Sequence, residues 1–403
     1  MKTAGIICEY NPLHKGHIAH IEKTRALLGI DSAVVCVMSG NYVQRGDFAV
    51  FNKHARAEAA ILCGADLVLE LPSPYALSSA EMFAVAGIHI LDSIGVCDYI
   101  SFGSESGDIG VLKEAAEALV SNEAIELLKE ELDSGLSYAT AQQKAADAVM
   151  GGRSEVLRSP NNLLGVEYLK AITACGSSLQ PITIERSDGA HDGDLGYSAS
   201  VLRKALLEGK TPWELTHRAA SVVYTRETEE GRGPVSMKTY ETAILSRLRA
   251  ATDFSMLPGS TEGIDRRLLR YAMSEPTIEK ILEGVKTKRY AMSRIRRMLM
   301  CACLGITAVD SQEPPPYIRV LAMNKTGTRL LKEARERAKL PIITKPASAK
   351  MLPERASELF RKEAAATDFY VLGYQCENNR EGGQEWRATP RVIDKQEEVT
   401  GNR

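Results

Sequence analysis

With 403 residues, 44% of them hydrophobic, the chain has length for more than one ordinary domain and enough apolar material for substantial cores, which excludes a natively unfolded protein. A net charge of −2 hides a division, because residues 1–200 hold 14 Lys/Arg against 26 Asp/Glu, net −12, while residues 201–403 hold 36 against 26, net +10. A basic back half of this size points to a polyanion such as a nucleic acid as its partner.

The chain opens MKTAGIICEYNPLHKGHIAH, where a short apolar run gives way at once to Glu, Asn, Pro and His. That pattern fits neither a signal peptide nor a membrane span, so the segment belongs to a folded domain and no membrane is expected. Apolar, β-branched runs predict strands at Ala4–Cys8, Ala33–Met38, Leu67–Leu71, Tyr99–Phe102 and Ile182–Glu185. Helical periodicity fills the intervals, at His17–Leu28, His54–Cys63, Ala80–Ile94, Ile109–Leu119, Tyr138–Val149 and Leu163–Cys175. Strand then helix, repeated, predicts an α/β fold with a parallel sheet covered by helices on both faces. Ligands of such sheets bind beyond the carboxyl ends of the strands.

A helix is expected at Ala199–Glu208 before a connector at Lys210-Thr211-Pro212. Beyond it residues 237–254, 264–273, 276–284, 290–304, Leu330–Ala338 and Pro353–Ala366 read as helices, with one strand at Ile318–Met323. The division that follows is a catalytic domain over 1–210, a mainly helical basic domain over 211–376, and a tail over 377–403 too poor in apolar residues to fold. The eight cysteines are scattered through apolar runs, which suits buried thiols in a reducing cytoplasm, and none sits at metal-ligand spacing.

Chemistry concentrates in Gly5–His17, where a strand, a turn and Pro12-x-His14-x-Gly16-His17 meet the mouth of a helix. Pro12 shapes the turn, Gly16 opens the backbone to a nucleotide, and the helix N-terminus offers N–H groups and a positive dipole end to phosphate. His14 and His17 share one side of the first turn and are placed to stabilise charge developing at an α-phosphate, without a covalent intermediate. The packed-and-idle reading of a histidine pair loses here because strand, Pro and Gly coincide with it. A metal reading is weaker still, since His14, His17 and His20 have no carboxylate partner in sequence. Further on, Tyr197-Ser198-Ala199-Ser200-Val201-Leu202-Arg203 puts hydroxyls at a helix start and an arginine one turn later, a second phosphate-binding pattern beside the first. In the back half, Lys286–Arg297 packs six basic residues around Tyr290. Arg294 and Arg297 are expected to share a helix face with Tyr290, the cations meeting an RNA backbone and the ring stacking on an unpaired base.

These motifs, with SGNYVQRG at 39–46, CGADLVLELP at 63–72, SFGSE at 101–105, SPNNLLGVEYLK at 159–170, KRYAMSRIRRM at 288–298 and residues 344–370, resemble the bacterial tRNA(Met) cytidine acetate ligases. The resemblance implies a Rossmann-like sheet of the HxGH nucleotidyltransferase type followed by the helical domain. It also implies a two-step reaction, in which acetate and ATP give acetyl-adenylate and pyrophosphate, and the acetyl group then passes to the wobble cytidine of elongator tRNA(Met) with release of AMP. By the same likeness ATP contacts Ile7, Cys8, Glu9, Tyr10, Asn11, Pro12, His14, Lys15, Gly16, His17 and His20, together with Gly103, Asn162, Arg186 and Ser187. Ser200 and Arg203 join them as the second signature, and Lys288, Arg289, Tyr290, Arg294 and Arg297 are the expected tRNA contacts. Ser-Asp-Gly-Ala-His-Asp at 187–192 departs from the more apolar pattern expected after Arg186. Mg²⁺ is expected to ride on the triphosphate, and no obligate protein partner is evident. Two other readings remain open at this point: a small-molecule adenylyltransferase, against which the basic half counts, and an RNA-binding protein with an inactive nucleotide domain, against which the intact His14, Gly16, His17 and Arg203 count.

Overall fold

The computed structural model describes residues 1–136, 138–186 and 199–393. Five parallel strands form the centre of the sheet: β1 (Thr3–Cys8), β2 (Ala33–Ser39), β5 (Leu67–Leu71), β6 (Tyr99–Ser104) and β7 (Gln180–Glu185). Between β2 and β5 a small antiparallel hairpin, β3 (Tyr42–Val43) and β4 (Asp47–Phe48), leaves the sheet's carboxyl end. The order across the sheet is β10-β8-β5-β2-β1-β6-β7, where β8 (Ile318–Met323) runs antiparallel to β5, and β9 (Ile342–Ile343) and β10 (Arg391–Val392) pair with β8. Every residue of β2 and β5 is buried, as continuous apolar strands covered on both faces must be.

On one face lie α1 (Lys15–Leu28) and α2 (Lys53–Leu62), over a core of Ile6, Val34, Cys36, Met38 and Val68. The short α3 (Ser73–Ala76) leads to the other face, where α4 (Ala80–Ser93), α5 (Ile109–Leu119), α6 (Asn122–Asp133), α7 (Tyr138–Met150) and α8 (Pro160–Ala174) gather. Alternation along the strands sends Val35, Val37, Leu69 and Phe102 to that second core. After α9 (Ala199–Leu207), α10 (Arg218–Glu229) returns to the first face and packs on α2. A separate apolar cluster joins α11 (Glu241–Ala250), α12 (Ile264–Ser274), α13 (Ile278–Val285) and α14 (Met292–Leu304). The chain then adds α15 (Lys325–Arg337), α16 (Glu354–Val371) and α17 (Gln384–Arg387). Among the described residues no helix is long and apolar enough to cross a membrane.

Two expectations are corrected. The boundary at 210/211 does not divide the cores, because β8 completes the catalytic sheet and Leu330, Leu359 and Phe360 bury themselves with Leu69 and Phe102. The tail expected from residue 377 is folded as far as Ile393, with α17, β10 and Glu385 only 1% exposed. Its composition misled because its stabilising contacts are few and lie far off in sequence: Trp386 packs on Phe360, 4.9 Å between ring centroids, and Glu385 lies 2.8 Å from Lys53, which also meets Glu70 at 2.6 Å. Breaking one partner of such a buried group costs about 3–5 kcal/mol.

Candidate active site

The loop from Glu9 to Leu13 is held on every side. Arg56, fully buried, gives Nη1 to the Glu9 carbonyl, Nε to the Phe51 carbonyl at 2.9 Å, and Nη2 to the carbonyls of Ser39 (3.0 Å) and Gly40. One cation thus gathers the carbonyl-rich ends of β1 and β2. Tyr10 is forced to φ +45°, a conformation that a bulky residue keeps only under constraint. The Val50 N–H donates to Asn11 Oδ1 (2.8 Å), the Leu13 N–H to the Tyr224 hydroxyl (3.1 Å), and Thr216 Oγ1 to the Leu13 carbonyl (2.8 Å). The Asn11–Pro12 peptide bond is cis.

At the mouth of α1 the two histidines form a reciprocal cap. His14 Nδ1 accepts the Gly16 N–H at 3.1 Å, and His17 Nδ1 accepts the His14 N–H at 3.3 Å. An Nδ1 that accepts must carry no proton, so in each neutral ring the proton sits on Nε2. The rings lie 3.7 Å apart between centroids, and Tyr10 closes on His17 at 5.0 Å. Burial pushes the His17 imidazole well below its usual range, reinforced by His14, Arg186, His20 and Arg203, so it is neutral at physiological pH. A methyl group at Gly16 would come within 3.0 Å of the His14 ring. Gly16 therefore makes room for a histidine folded back over the helix end, a tighter reason than the nucleotide approach expected from sequence.

Arg203 joins this loop, its Nη1 donating to the Asn11 carbonyl (2.7 Å) and its Nη2 to Ser200 Oγ (2.9 Å). The two signatures, nearly two hundred residues apart, therefore meet. On the β6 side, His20 Nε2 lies 2.9 Å from Ser101 Oγ, itself 2.7 Å from Thr24 Oγ1, and burial holds His20 down to about 4. Gly103 faces the Arg186 side chain, and Arg186 Nη1 donates to Asn161 Oδ1 at 3.2 Å. Asn162 is placed differently from expectation. Its Oδ1 takes the N–H groups of Glu105 (2.9 Å) and Ser106 (3.1 Å), and its Nδ2 gives to the Val156 carbonyl (3.0 Å), so it shapes the turn after β6. Ile7 points into the α4 face beside Gly87, Cys8 is half-buried, and Lys15 is exposed on α1. Ser187, Tyr197 and Ser198 lie outside the described residues.

The basic helix touches this centre through one short relay. Glu9 Oε1 accepts the Gln44 N–H at 2.7 Å and the Ser39 hydroxyl at 3.3 Å, and the Gln44 carbonyl takes Arg297 Nη1 at 3.4 Å. Arg296 pairs with Asp47 at 3.3 Å, and Gly46, at φ +73°, lies flat against the backbone of Arg296 and Arg297. α14 is thus docked on the β3–β4 hairpin, one residue from the Glu9 contact. Tyr290 departs from its expected role. It precedes α14, is 7% exposed, and gives its hydroxyl to the Glu262 carbonyl at 2.8 Å, so it is a core residue and not a stacking platform. Lys288 and Arg289 are exposed, while Arg294 reaches the Gly259 carbonyl (2.8 Å) and Thr261 Oγ1 (2.6 Å).

A family model described as HIGH Nucleotidyl Transferase matches residues 1–385. The chain is 36% identical to the tRNA(Met) cytidine acetate ligase of Acetivibrio thermocellus, over 96% of this chain and 98% of that one, and 39% identical to that of Caldanaerobacter subterraneus, over 93% and 96%. The chain belongs to the tRNA(Met) cytidine acetate ligase family. A crystal structure of a family member, Thermotoga maritima TmcAL bound with alpha-thio ATP, superposes with a TM-score of 0.91 at 33% identity, covering 98% of this chain and all of that one. For a ligase of this family, sequence reasoning missed Arg56 as an organiser of the site. The signal was present, since an arginine one turn inside an otherwise Ala-rich buried helix is out of place unless it has carbonyls to satisfy. A cavity of about 440 Å³ opens beside Lys53, Arg232 and Glu385, and none of the expected site residues lines it.

Proposed function

We propose that this chain is an ATP-dependent tRNA-modifying ligase that joins acetate to the wobble cytidine of elongator tRNA(Met). In the first step an acetate oxygen attacks the α-phosphorus of ATP, giving acetyl-adenylate and pyrophosphate. In the second, the exocyclic amine of the cytidine takes the acetyl group and AMP leaves. The observation that carries the reading is the convergence of the His14–His17 cap with Arg203 and Ser200 around the α1 N-terminus. The two Nε2–H groups donate to phosphoryl oxygens as charge builds, a kind of stabilisation worth about 2.7–4 kcal/mol per donor in comparable sites. The α1 dipole and Arg203 take up charge on the departing pyrophosphate. Support for ATP as the co-substrate comes from the alpha-thio ATP of the Thermotoga neighbour.

The remaining contacts of the Glu9–His20 loop, with Gly103, Arg186 and Ser187, complete the ATP cradle in this reading, and Asn162 acts by shaping its β6 wall. Lys288, Arg289, Arg294 and Arg297 meet the RNA backbone. Among the described residues no three His, Cys, Asp or Glu side chains converge as a metal cage, so Mg²⁺ would be held by the phosphates of ATP, and no step here is assigned to it. Incubation with ATP, labelled acetate and bulk tRNA tests the proposal. Label should enter one methionine tRNA, with AMP and pyrophosphate formed in step. Label confined to small molecules, or transfer without ATP, would overturn it.

A further inference from the structure

We propose that Glu9 is the general base of the second step, its Oε2 accepting the proton of the cytidine amine as the acetyl group is transferred. The inference rests on the acetate-to-cytidine reading above and adds a catalytic residue to it.

Glu9 sits in the middle of the site but faces away from the side where Gly103 and Arg186 stand. β1 lies between β2 and β6, and the Glu9 carboxylate turns to the β2 side, where Oε1 is fixed by the Gln44 N–H and the Ser39 hydroxyl. Its backbone is fixed as well, by Arg56 on its carbonyl and by the strained Tyr10 that follows. Oε2 takes no hydrogen bond from any described residue, and it is not among the buried polar atoms sealed from solvent. An oriented carboxylate with one oxygen engaged and the other open repels a triphosphate, so the part of Glu9 left for the ATP cradle is its backbone, and the carboxylate is a poor neighbour for phosphate. It is a good one for an amine, which it attracts.

The surrounding groups leave this task to Glu9. Nδ1 of His14 and Nδ1 of His17 are both occupied as acceptors within the helix cap, so these rings act as donors. His20 is bound to Ser101, and Asp47, the next carboxylate along the hairpin, is paired with Arg296. The approach is also built from this side, because Gln44, which holds Glu9, is the residue on which Arg297 of the basic helix rests. RNA lying along α14 would therefore reach the loop from the Gln44 side, the side to which the Glu9 carboxylate turns. Burial raises the Glu9 carboxyl above the ordinary carboxylate range, with Gln44, Arg56 and Arg203 opposing, which suits a group that must take a proton and release it again.

In the step itself the nitrogen lone pair attacks the acetyl carbonyl carbon of acetyl-adenylate and a C–N bond forms. The C–O bond to the phosphate breaks, its electron pair leaving with AMP. The amine proton passes to Glu9 Oε2 and from there to solvent.

The test supplies chemically prepared acetyl-adenylate and tRNA to the full chain, bypassing the first step. Wild type should transfer acetyl to tRNA; failure of wild type to do so would sink the functional reading and not Glu9 alone. Glu9→Gln keeps an acceptor for the Gln44 N–H but cannot take a proton, and its single-turnover transfer should fall by about 100-fold or more with tRNA still bound. Transfer within about fivefold of wild type would overturn the assignment of a base. Glu9→Ala provides a second arm: added formate should restore part of the lost rate, which a purely structural glutamate would not allow, and absence of rescue across formate concentrations would count against the proposal.

Discussion

The His14 and His17 rings lie 3.7 Å apart between centroids with their planes tilted by 33°, and each uses Nδ1 to hold a backbone N–H of the same helical turn. The cap and the proposed catalytic pair are therefore one structure. Replacing His17 by Ala should lower acetyl-adenylate formation by about 10²–10³ and also loosen the start of α1, at about 1 kcal/mol. His17→Asn, whose side chain can still accept the His14 N–H, should restore the stability without the rate. Pyrophosphate exchange alongside thermal unfolding separates the two, and equal loss of both in Asn and Ala variants would contradict the separation.

His54 is held down to about 3 by burial, and neither ring nitrogen has a hydrogen-bond partner among the described residues. The unfolded chain, with an ordinary histidine near 6.5, binds the proton that the folded chain refuses. Stability is thus lost as pH falls below about 6.5, by up to about 1.4 kcal/mol per unit for this residue. Glu363, raised by burial and by Glu70, works in the opposite direction, so the difference between two proteins is the informative quantity. His54→Leu should show a smaller drop in melting temperature from pH 7 to pH 5 than wild type. Parallel curves would refute the linkage.

Exposed Lys288 and Arg289 should act on RNA by charge alone. Lys288→Glu should weaken tRNA binding uniformly and flatten its salt dependence by about one phosphate contact. Tyr290→Phe, which loses the bond to the Glu262 carbonyl, should cost about 1 kcal/mol of stability and leave affinity for tRNA unchanged. Filter binding over a salt series, beside denaturant melts, reads both effects.

Gly46 has no space for a side chain, since a Cβ there would lie 2.4 Å from the Arg297 nitrogen at a φ of +73°. Gly46→Ala should cost about 1–3 kcal/mol and lift the hairpin from α14. Transfer to tRNA should then suffer more than pyrophosphate exchange does. Equal loss in both assays would mean that the hairpin does not couple the RNA helix to the loop.

Much of this was legible in the residues. The parallel strands and their helices followed from apolar runs and periodicity, and β5 runs Leu67–Leu71 as expected. The meeting of His14, His17 and Arg203 at one loop was legible in the two motifs that hold them. What stayed hidden depended on distant partners. Arg56 and Lys53 owe their places to Glu9, Glu70 and Glu385, which come from elsewhere in the chain, and Tyr290 read as a stacking ring until Glu262 took its hydroxyl. Asn162 was expected as an ATP contact, and its side-chain oxygen is taken up by the turn after β6. Short-range pattern cannot price such long-range pairing.

The catalytic sheet is finished by strands drawn from residues 318–323 and 391–392, made long after the histidine loop has left the ribosome. During synthesis the outer edge of β5 stays open until residues 318–323 arrive to pair with it, and the charged cluster around Lys53 stays incomplete until Glu385 appears. A chain stopped before residue 318 therefore carries His14, His17, Ser200 and Arg203 and still lacks the strands that cover the edge of β5.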